Sequence, residues 1–313
     1  MSPAANEPAA NEPVLQEVAD GVFAYVQPEG GWCVNNAGVI ASGGSVALID
    51  TAATRARAER LRRAVLADGR PAPFALVNTH SHGDHTFGNS LFPEATVIAH
   101  VNARDEMDRA GLHLTELWPD VAWGGIEVRL PSVTYRDRLT LHVGELTAEL
   151  MHFGLAHTAN DTVVWIPERK VLFTGDIVMS GFTPFVPLGS VSGSLKVIEQ
   201  LRGLGATTVV TGHGPVGGPE LLDVTEDYLR WVRQLAVDGI AAGRAPLAVA
   251  READLGRFAA LGEPERLVAN LHRAYAEQLA PEAELDFDVL LKEMGVIFGE
   301  MMDYHGGPLT CCA

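Results

Sequence analysis

The chain has 313 residues, 47% hydrophobic and 20% charged, a globular composition long enough for a large core. Its 40 Asp and Glu against 23 Lys and Arg give a net charge of −17, which repels a phosphate backbone and argues against a nucleic-acid partner. Three cysteines, Cys33 and the adjacent Cys311 and Cys312, are too few for a disulfide framework, and Cys33 stands alone, which argues against a cysteine metal cluster. No apolar run approaches the roughly 18 residues of a membrane span, and the N-terminus lacks the basic and apolar segments of a secretory leader. A cytoplasmic enzyme or binding protein, without a membrane partner, is the expectation.

Residues 1–13 hold Ala-Ala-Asn-Glu-Pro twice without apolar periodicity and read as a disordered tail. Residues 14–218 read as one domain of short apolar runs broken by Gly, Asn, Asp and Pro. Strands are predicted at Val22–Val26, Gly38–Ala41, Val46–Asp50 and Phe74–Asn78, with a helix over Thr54–Ala67 capped by Thr54. Further strands follow at Val97–Ala99, Leu139–His142, Leu146–Met151, Thr162–Ile166 and Val171–Thr174, then a helix over Ser194–Leu201 and a strand at Thr207–Val210. Residues 219–313 change character. Leu222, Tyr228, Leu229, Val232, then Leu267, Leu271, Tyr275, and later Leu290, Met294, Ile297, Phe298 and Met301 recur at helical spacing and read as core, so this part reads as a helical extension and a C-terminal tail.

The chemistry concentrates in Thr79-His80-Ser81-His82-Gly83-Asp84-His85, directly after a buried-type strand. Three imidazoles and a carboxylate this close together are costly to pack in a core and well suited to a borderline divalent metal. Gly83 is expected to allow a tight turn there. Three more segments each place one ligand-type residue just past a predicted strand: His157 in Ala-His-Thr-Ala-Asn-Asp, Asp176 in Thr-Gly-Asp, and His213 in Thr-Gly-His-Gly-Pro. Ligands gathered from several strand ends suit an open active site at one edge of layered sheets. The other histidines, His100, His113, His142, His152, His272 and His305, sit in no such context and read as structural.

This pattern resembles the metallo-β-lactamase superfamily over roughly residues 14–217. The resemblance implies an α/β fold, the αββα metallo-β-lactamase sandwich, here with a C-terminal helical extension. It implies one metal held by His80, His82 and His157, a second by Asp84, His85 and His213, and Asp176 bridging the two. Two Zn2+ are the expected ions, with iron or manganese as alternatives. Paired dications acidify a shared water and stabilise an oxyanion, which suits hydrolysis; the same site, with Asp84 as catalytic base, suits removal of an acidic C–H proton and enolate chemistry.

Further segments narrow the resemblance: Gly-Gly-Trp-Cys-Val-Asn-Asn at 30–36, Leu-Thr-Glu-Leu-Trp-Pro-Asp-Val-Ala-Trp at 114–123, Ser-Gly-Phe-Thr-Pro-Phe at 180–185, Asp-Tyr-Leu-Arg-Trp-Val at 227–232 and Gly-Gly-Pro-Leu-Thr-Cys at 306–311. Together they resemble the cyclase/thioesterase-type proteins of bacterial aromatic polyketide pathways of the actinorhodin type. That resemblance implies second-ring closure by intramolecular aldol condensation, with release from an acyl carrier protein as a linked step. The alternative is a general dinuclear zinc hydrolase, a thioesterase or lactonase. Trp32, Trp118, Trp123, Phe182 and Phe185 fall in predicted loops and are candidates for a flat aromatic substrate pocket. Arg55, Arg57, Arg60, Arg62 and Arg63, clustered on the first helix, are a candidate docking patch for an acidic carrier, against the simpler reading of a solvated helix face.

Overall fold

The computed structural model describes residues 12–28, 31–281 and 285–312. The expected N-terminal tail lies outside the described residues as far as residue 11.

The first sheet has seven strands in chain order: β1 (Val14–Ala19), β2 (Val22–Val26), β3 (Ala37–Ser42), β4 (Ser45–Ile49), β5 (Ala75–Val77), β6 (Thr96–His100) and β7 (Val133–Tyr135). The first four pair antiparallel. The β3–β4 hairpin turns on Gly43 and Gly44, both with positive φ (56° and 77°), as a two-residue turn with the twist of its strands requires. From β4 onward the pairing is parallel, with α1 (Arg55–Val65) and α3 (Val101–Ala110) in the connections. The predicted cap of α1 forms, with the Thr54 hydroxyl accepting from the Arg57 N–H.

The second sheet holds β8 (Arg138–Val143), β9 (Leu146–Met151), β10 (Val163–Ile166), β11 (Val171–Gly175) and β12 (Thr208–Thr211), in the order β12-β11-β10-β9-β8. Here β12 lies parallel to β11, and α5 (Val191–Arg202) makes the crossover. The inner faces of the sheets meet in one buried cluster: Ile40, Ala47, Ile49 and Val77 from the first sheet, Leu150, Val164, Ile166 and Phe173 from the second. Leu61 and Val65 of α1 cover the outer face of the first sheet against Val39, Leu48, Leu76 and Val97. The result is the helix–sheet–sheet–helix layering expected for an αββα sandwich.

After Pro219 come α6 (Glu220–Ala241), α7 (Pro246–Glu252), α8 (Arg266–Leu279) and α9 (Phe287–His305). Their apolar faces share one buried cluster with α5 and the outer face of the second sheet, so Tyr228, Leu229, Val268 and Leu271 pack with Trp165, Leu172 and Val209. No helix among the described residues is long and apolar enough to cross a membrane.

Candidate metal centre

Four strand ends and one helical turn build the site at one edge of the sandwich. His80 follows β5; α2 (Gly83–Thr86) carries Asp84 and His85; His157 follows β9; Asp176 directly follows β11; His213 follows β12. Gly83 is the first residue of α2 and is not in the left-handed region, contrary to its expected role in a tight turn. Its missing side chain is needed instead because a Cβ there would lie 2.3 Å from the Phe87 ring. Gly212 is required for a related reason: its Cβ would fall 1.8 Å from Asp176 Oδ1.

Two groups of donors result. His80, His82, His157 and Asp176 bring one ligand atom each within 4.8 Å of one another, and Asp84, His85 and His213 do the same. Asp176 faces both. Its Oδ2 lies 3.7 Å from His157 Nε2, 3.9 Å from His80 Nε2 and 3.4 Å from His213 Nε2, and its Oδ1 lies 3.2 Å from His85 Nε2. Asp84 Oδ2 lies 3.2 Å from His213 Nε2.

The proton positions can be inferred from the outer partners. His157 Nδ1–H donates to the Phe185 carbonyl, so its Nε2 carries a lone pair, and that atom sits 3.0 Å from His82 Nδ1. His85 Nδ1–H donates to Asp50 Oδ2 at 2.8 Å, which aims its Nε2 at the site. Thr79 ties two ligands together: its N–H and hydroxyl donate to Asp50 at 2.7 and 2.6 Å, and its oxygen accepts from His80 Nδ1 at 3.1 Å. His80 Nε2, His85 Nε2 and Asp176 Oδ1 are buried with no hydrogen-bond partner. Five imidazoles and two carboxylates gathered at one space, with these three buried atoms left unpartnered among them, are the donor chemistry of a divalent cation such as zinc.

The electrostatics agree. Burial, reinforced by neighbouring imidazoles, holds His80 and His157 below the ordinary histidine range and pushes His82 down to about 3, so all three keep the neutral, ligating form. Burial also opposes charge on Asp84 and Asp176, but His85 and His213 outweigh it and keep both carboxyls ionised. Those carboxylates in turn overcome burial to raise His85 and to lift His213 to about 9, so without an ion these two imidazoles hold a proton against Asp84 and Asp176 that a bound cation would displace. Behind the ligands, Glu106 accepts from Ser81 and Asn160 and is raised by burial to about 7.

A partly open cavity lies over the site. His82, Asp84, Asp176 and His213 line its floor; Trp32, Trp118, Phe185, Met294 and Phe298 are among the residues of its walls. The Trp32 ring lies 5.7 Å from Trp118 and 5.2 Å from Phe185, edge-on to the latter, and Phe298 of α9 stands edge-on to Trp118 at 5.6 Å. Trp32 is held from α8 and the turn before it: Glu263 accepts its backbone N–H, Glu265 accepts its Nε1–H at 2.8 Å, and the Arg266 guanidinium stacks 4.3 Å from its ring.

Of the five aromatics expected to form a substrate pocket, the structure brings Trp32, Trp118 and Phe185 to the cavity, and two lie elsewhere. Trp123 packs on Phe87 behind the wall and donates its Nε1–H to the Trp118 carbonyl. Phe182 belongs to a segment paired with Gly262 and lines a separate depression with Gln16, Val26 and Pro215. His113, read as structural, lines the cavity with its Nδ1 unpartnered. In the arginine cluster, Arg55 binds Glu59, Arg57 binds Gln27 and the Cys312 carbonyl, and Arg62 binds Glu94, so these three guanidinium groups serve the fold.

Comparison with known proteins decides the family. The sequence model described as the metallo-beta-lactamase superfamily matches residues 30–213, more than half of the chain. The chain belongs to the metallo-beta-lactamase superfamily. Among relatives, it is 24% identical over 227 residues to a type 2 metallo-beta-lactamase of Bacteroides fragilis, covering 69% of this chain and 84% of that protein. It is 26% identical to the human acyl-coenzyme A thioesterase MBLAC2 (52% of this chain, 64% of that protein) and 31% identical to a hydroxyacylglutathione hydrolase of Synechococcus (50% and 55%). The latter two are thus matched over less than two thirds of their length. A solved metallo-beta-lactamase from Pontibacter korlensis shares the fold, with a TM-score of 0.58 at 21% identity, covering 70% of this chain and 99% of that one. The superfamily membership and the donor set together mark a metal-dependent enzyme of hydrolase type.

Proposed function

We propose that this chain is a dinuclear, zinc-type enzyme acting on a bulky, partly aromatic acyl substrate, and within that class a cyclase of aromatic polyketides that closes the second ring by intramolecular aldol condensation, with thioester release from an acyl carrier protein as a linked step. The observation that carries this reading is the cavity. Its floor is the ligand set and its walls are aromatics set edge-on or tilted to one another, including residues of the C-terminal helices that lie beyond the matched family region. A narrow acyl chain has no use for a slot bounded by Trp32, Trp118, Phe185 and Phe298, whereas a flat ring system fills it.

His80, His82 and His157 would hold one ion and Asp84, His85 and His213 the other, with Asp176 between them. When bound, such ions polarise a carbonyl oxygen and acidify water or an adjacent C–H bond. The protein does the rest. Asp84, ionised and facing the cavity, is the assigned proton acceptor. The Trp32 clamp fixes the substrate plane, and His113 and Arg266 offer polar contacts among the apolar residues of the wall.

Simple thioester hydrolysis is the second reading, supported by the relatives named acyl-coenzyme A thioesterase and hydroxyacylglutathione hydrolase. A monocyclic polyketide tethered to a carrier protein separates the two. A bicyclic product supports the cyclase, a released uncyclised acid supports the hydrolase, and no turnover overturns both for this substrate class. Exchanging Trp32 for Ala should raise KM for the tethered substrate about tenfold or more while the KM for a short acyl thioester stays within threefold.

A further inference from the structure

The C-terminal segment after α9 does not trail into solvent. Gly306, with a left-handed φ of 84°, ends the helix and turns the chain back. Leu309 is buried, and its carbonyl accepts the Trp118 Nε1–H at 3.0 Å. The Cys312 N–H donates to the Trp32 carbonyl at 3.2 Å, and the Cys312 carbonyl accepts from Arg57. Residues 309–312 therefore form a strap that joins two aromatic walls of the cavity and α1.

Two thiols meet under that strap. Cys33 lies beside Trp32 on the cavity wall, 4% exposed, in the left-handed region at φ 64°. Cys311 packs against the cluster that contains Cys33, and its side chain lies beside the Cys33 thiol, which burial first and this neighbour second hold well above the ordinary thiol range. A non-glycine residue in left-handed backbone is strained, and here the strain sets a buried thiol against a second one on a segment 278 positions away. Cys311 is only half-buried, so a small oxidant reaches it first, and Cys33 is in place as the second thiol.

We propose that Cys33 and Cys311 are a redox-active pair that a small disulfide oxidant converts into a cross-link, locking the C-terminal strap to the cavity wall. The chemistry balances with oxidised glutathione. The Cys311 thiolate attacks one glutathione sulfur, the glutathione S–S bond breaks, and one glutathione leaves as a mixed disulfide forms on Cys311. Cys33, which burial keeps as the protonated thiol, gives up its proton as it attacks Cys311 Sγ and expels the second glutathione. The two cysteine protons end on the two glutathione thiols; the protein pair is oxidised and the glutathione disulfide reduced. The proposal stands apart from the catalytic reading, since neither thiol belongs to the two donor groups at the metal centre.

The test uses the full chain, equilibrated with oxidised glutathione and digested without reduction. We expect a peptide containing Cys33 joined to the C-terminal peptide, present in Cys312→Ser, absent in Cys311→Ser and Cys33→Ser, and reversed by dithiothreitol. We also expect amide exchange across residues 306–312 to slow at least tenfold in the oxidised protein. A Cys311–Cys312 disulfide, a dimer linked through Cys312, or stable glutathionylation without the internal cross-link would overturn the pairing. A cross-link that leaves the exchange of residues 306–312 unchanged would overturn the strap.

Discussion

Asp50 offers the sharpest test of how the site is held. It sits at the end of β4 with φ 58°, buried, and both oxygens are engaged: Oδ1 by the Thr79 N–H, Oδ2 by the Thr79 hydroxyl and by His85 Nδ1–H. In Asp50→Asn the Oδ1 bond survives, but Oδ2 becomes an NH₂ that donates. Two former donors then face a donor. The Thr79 hydroxyl can rotate; the imidazole loses the acceptor that fixes its Nδ1–H, so the form that carries its proton on Nε2, the atom that faces Asp176 and Asp84 and would hold the ion, gains ground. Loss of an orienting partner of this kind lowers metal affinity by about 10–100-fold, or roughly 1.4–2.8 kcal/mol. A buried group left unpaired costs the fold about 1–3 kcal/mol more. Competition with a chromophoric chelator reads the affinity, and a thermal melt followed by circular dichroism reads the fold. Affinity within twofold of the unmodified chain for every bound ion would refute the assignment of His85 as an oriented ligand.

Two further perturbations probe the surroundings. Gly212→Ala places a methyl group against Asp176 Oδ1, so the shared carboxylate must move. Turnover and bound metal should fall together by tenfold or more while overpacking costs the fold about 1–3 kcal/mol, and a fully active Gly212→Ala protein would contradict the close approach. Glu106 has its folded pKa raised from 4.5 to about 7, chiefly by burial. The stability it contributes is therefore complete below about pH 4.5 and is lost as pH rises through 7, with a ceiling of about 3 kcal/mol. Glu106→Gln keeps an acceptor for Ser81 and Asn160 but cannot ionise, so in urea unfolding its stability relative to the unmodified chain should rise between pH 5 and pH 8; parallel pH profiles would rule that out.

The sandwich was legible because its strands are short, continuous apolar runs with turn residues between them, and Leu146–Met151 matches its strand end to end. Among the elements that escaped that reading, three did so for identifiable reasons. Strand β1 lies at a sheet edge with no fully buried residue, β7 is three residues long with one buried, and among the residues of α3 only Ala103, Glu106 and Met107 are buried, too few to show a stripe. The metal-type donors stood out because seven ligand residues flank strand ends in the order His-x-His-x-Asp-His, His, Asp, His. Asp50 did not, since it ends an apolar strand like any turn aspartate, and only the fold sets it against Thr79 and His85. The cavity walls were legible in part. Composition marks Trp32, Trp118 and Phe185 as loop aromatics but cannot separate them from Trp123 and Phe182, whose places depend on Phe87 and Gly262. Met294 and Phe298 read as helix core, and they reach the cavity because α9 crosses it.

The central claim is that two donor groups share Asp176. Native mass spectrometry of the chain titrated with zinc after chelator treatment tests it most directly. The account predicts saturation at two ions per chain, falling to at most one in Asp176→Ala with the charge-state distribution of a folded protein retained. Saturation of the unmodified chain at one ion or none, or two ions still bound by Asp176→Ala with unchanged affinity, would contradict it.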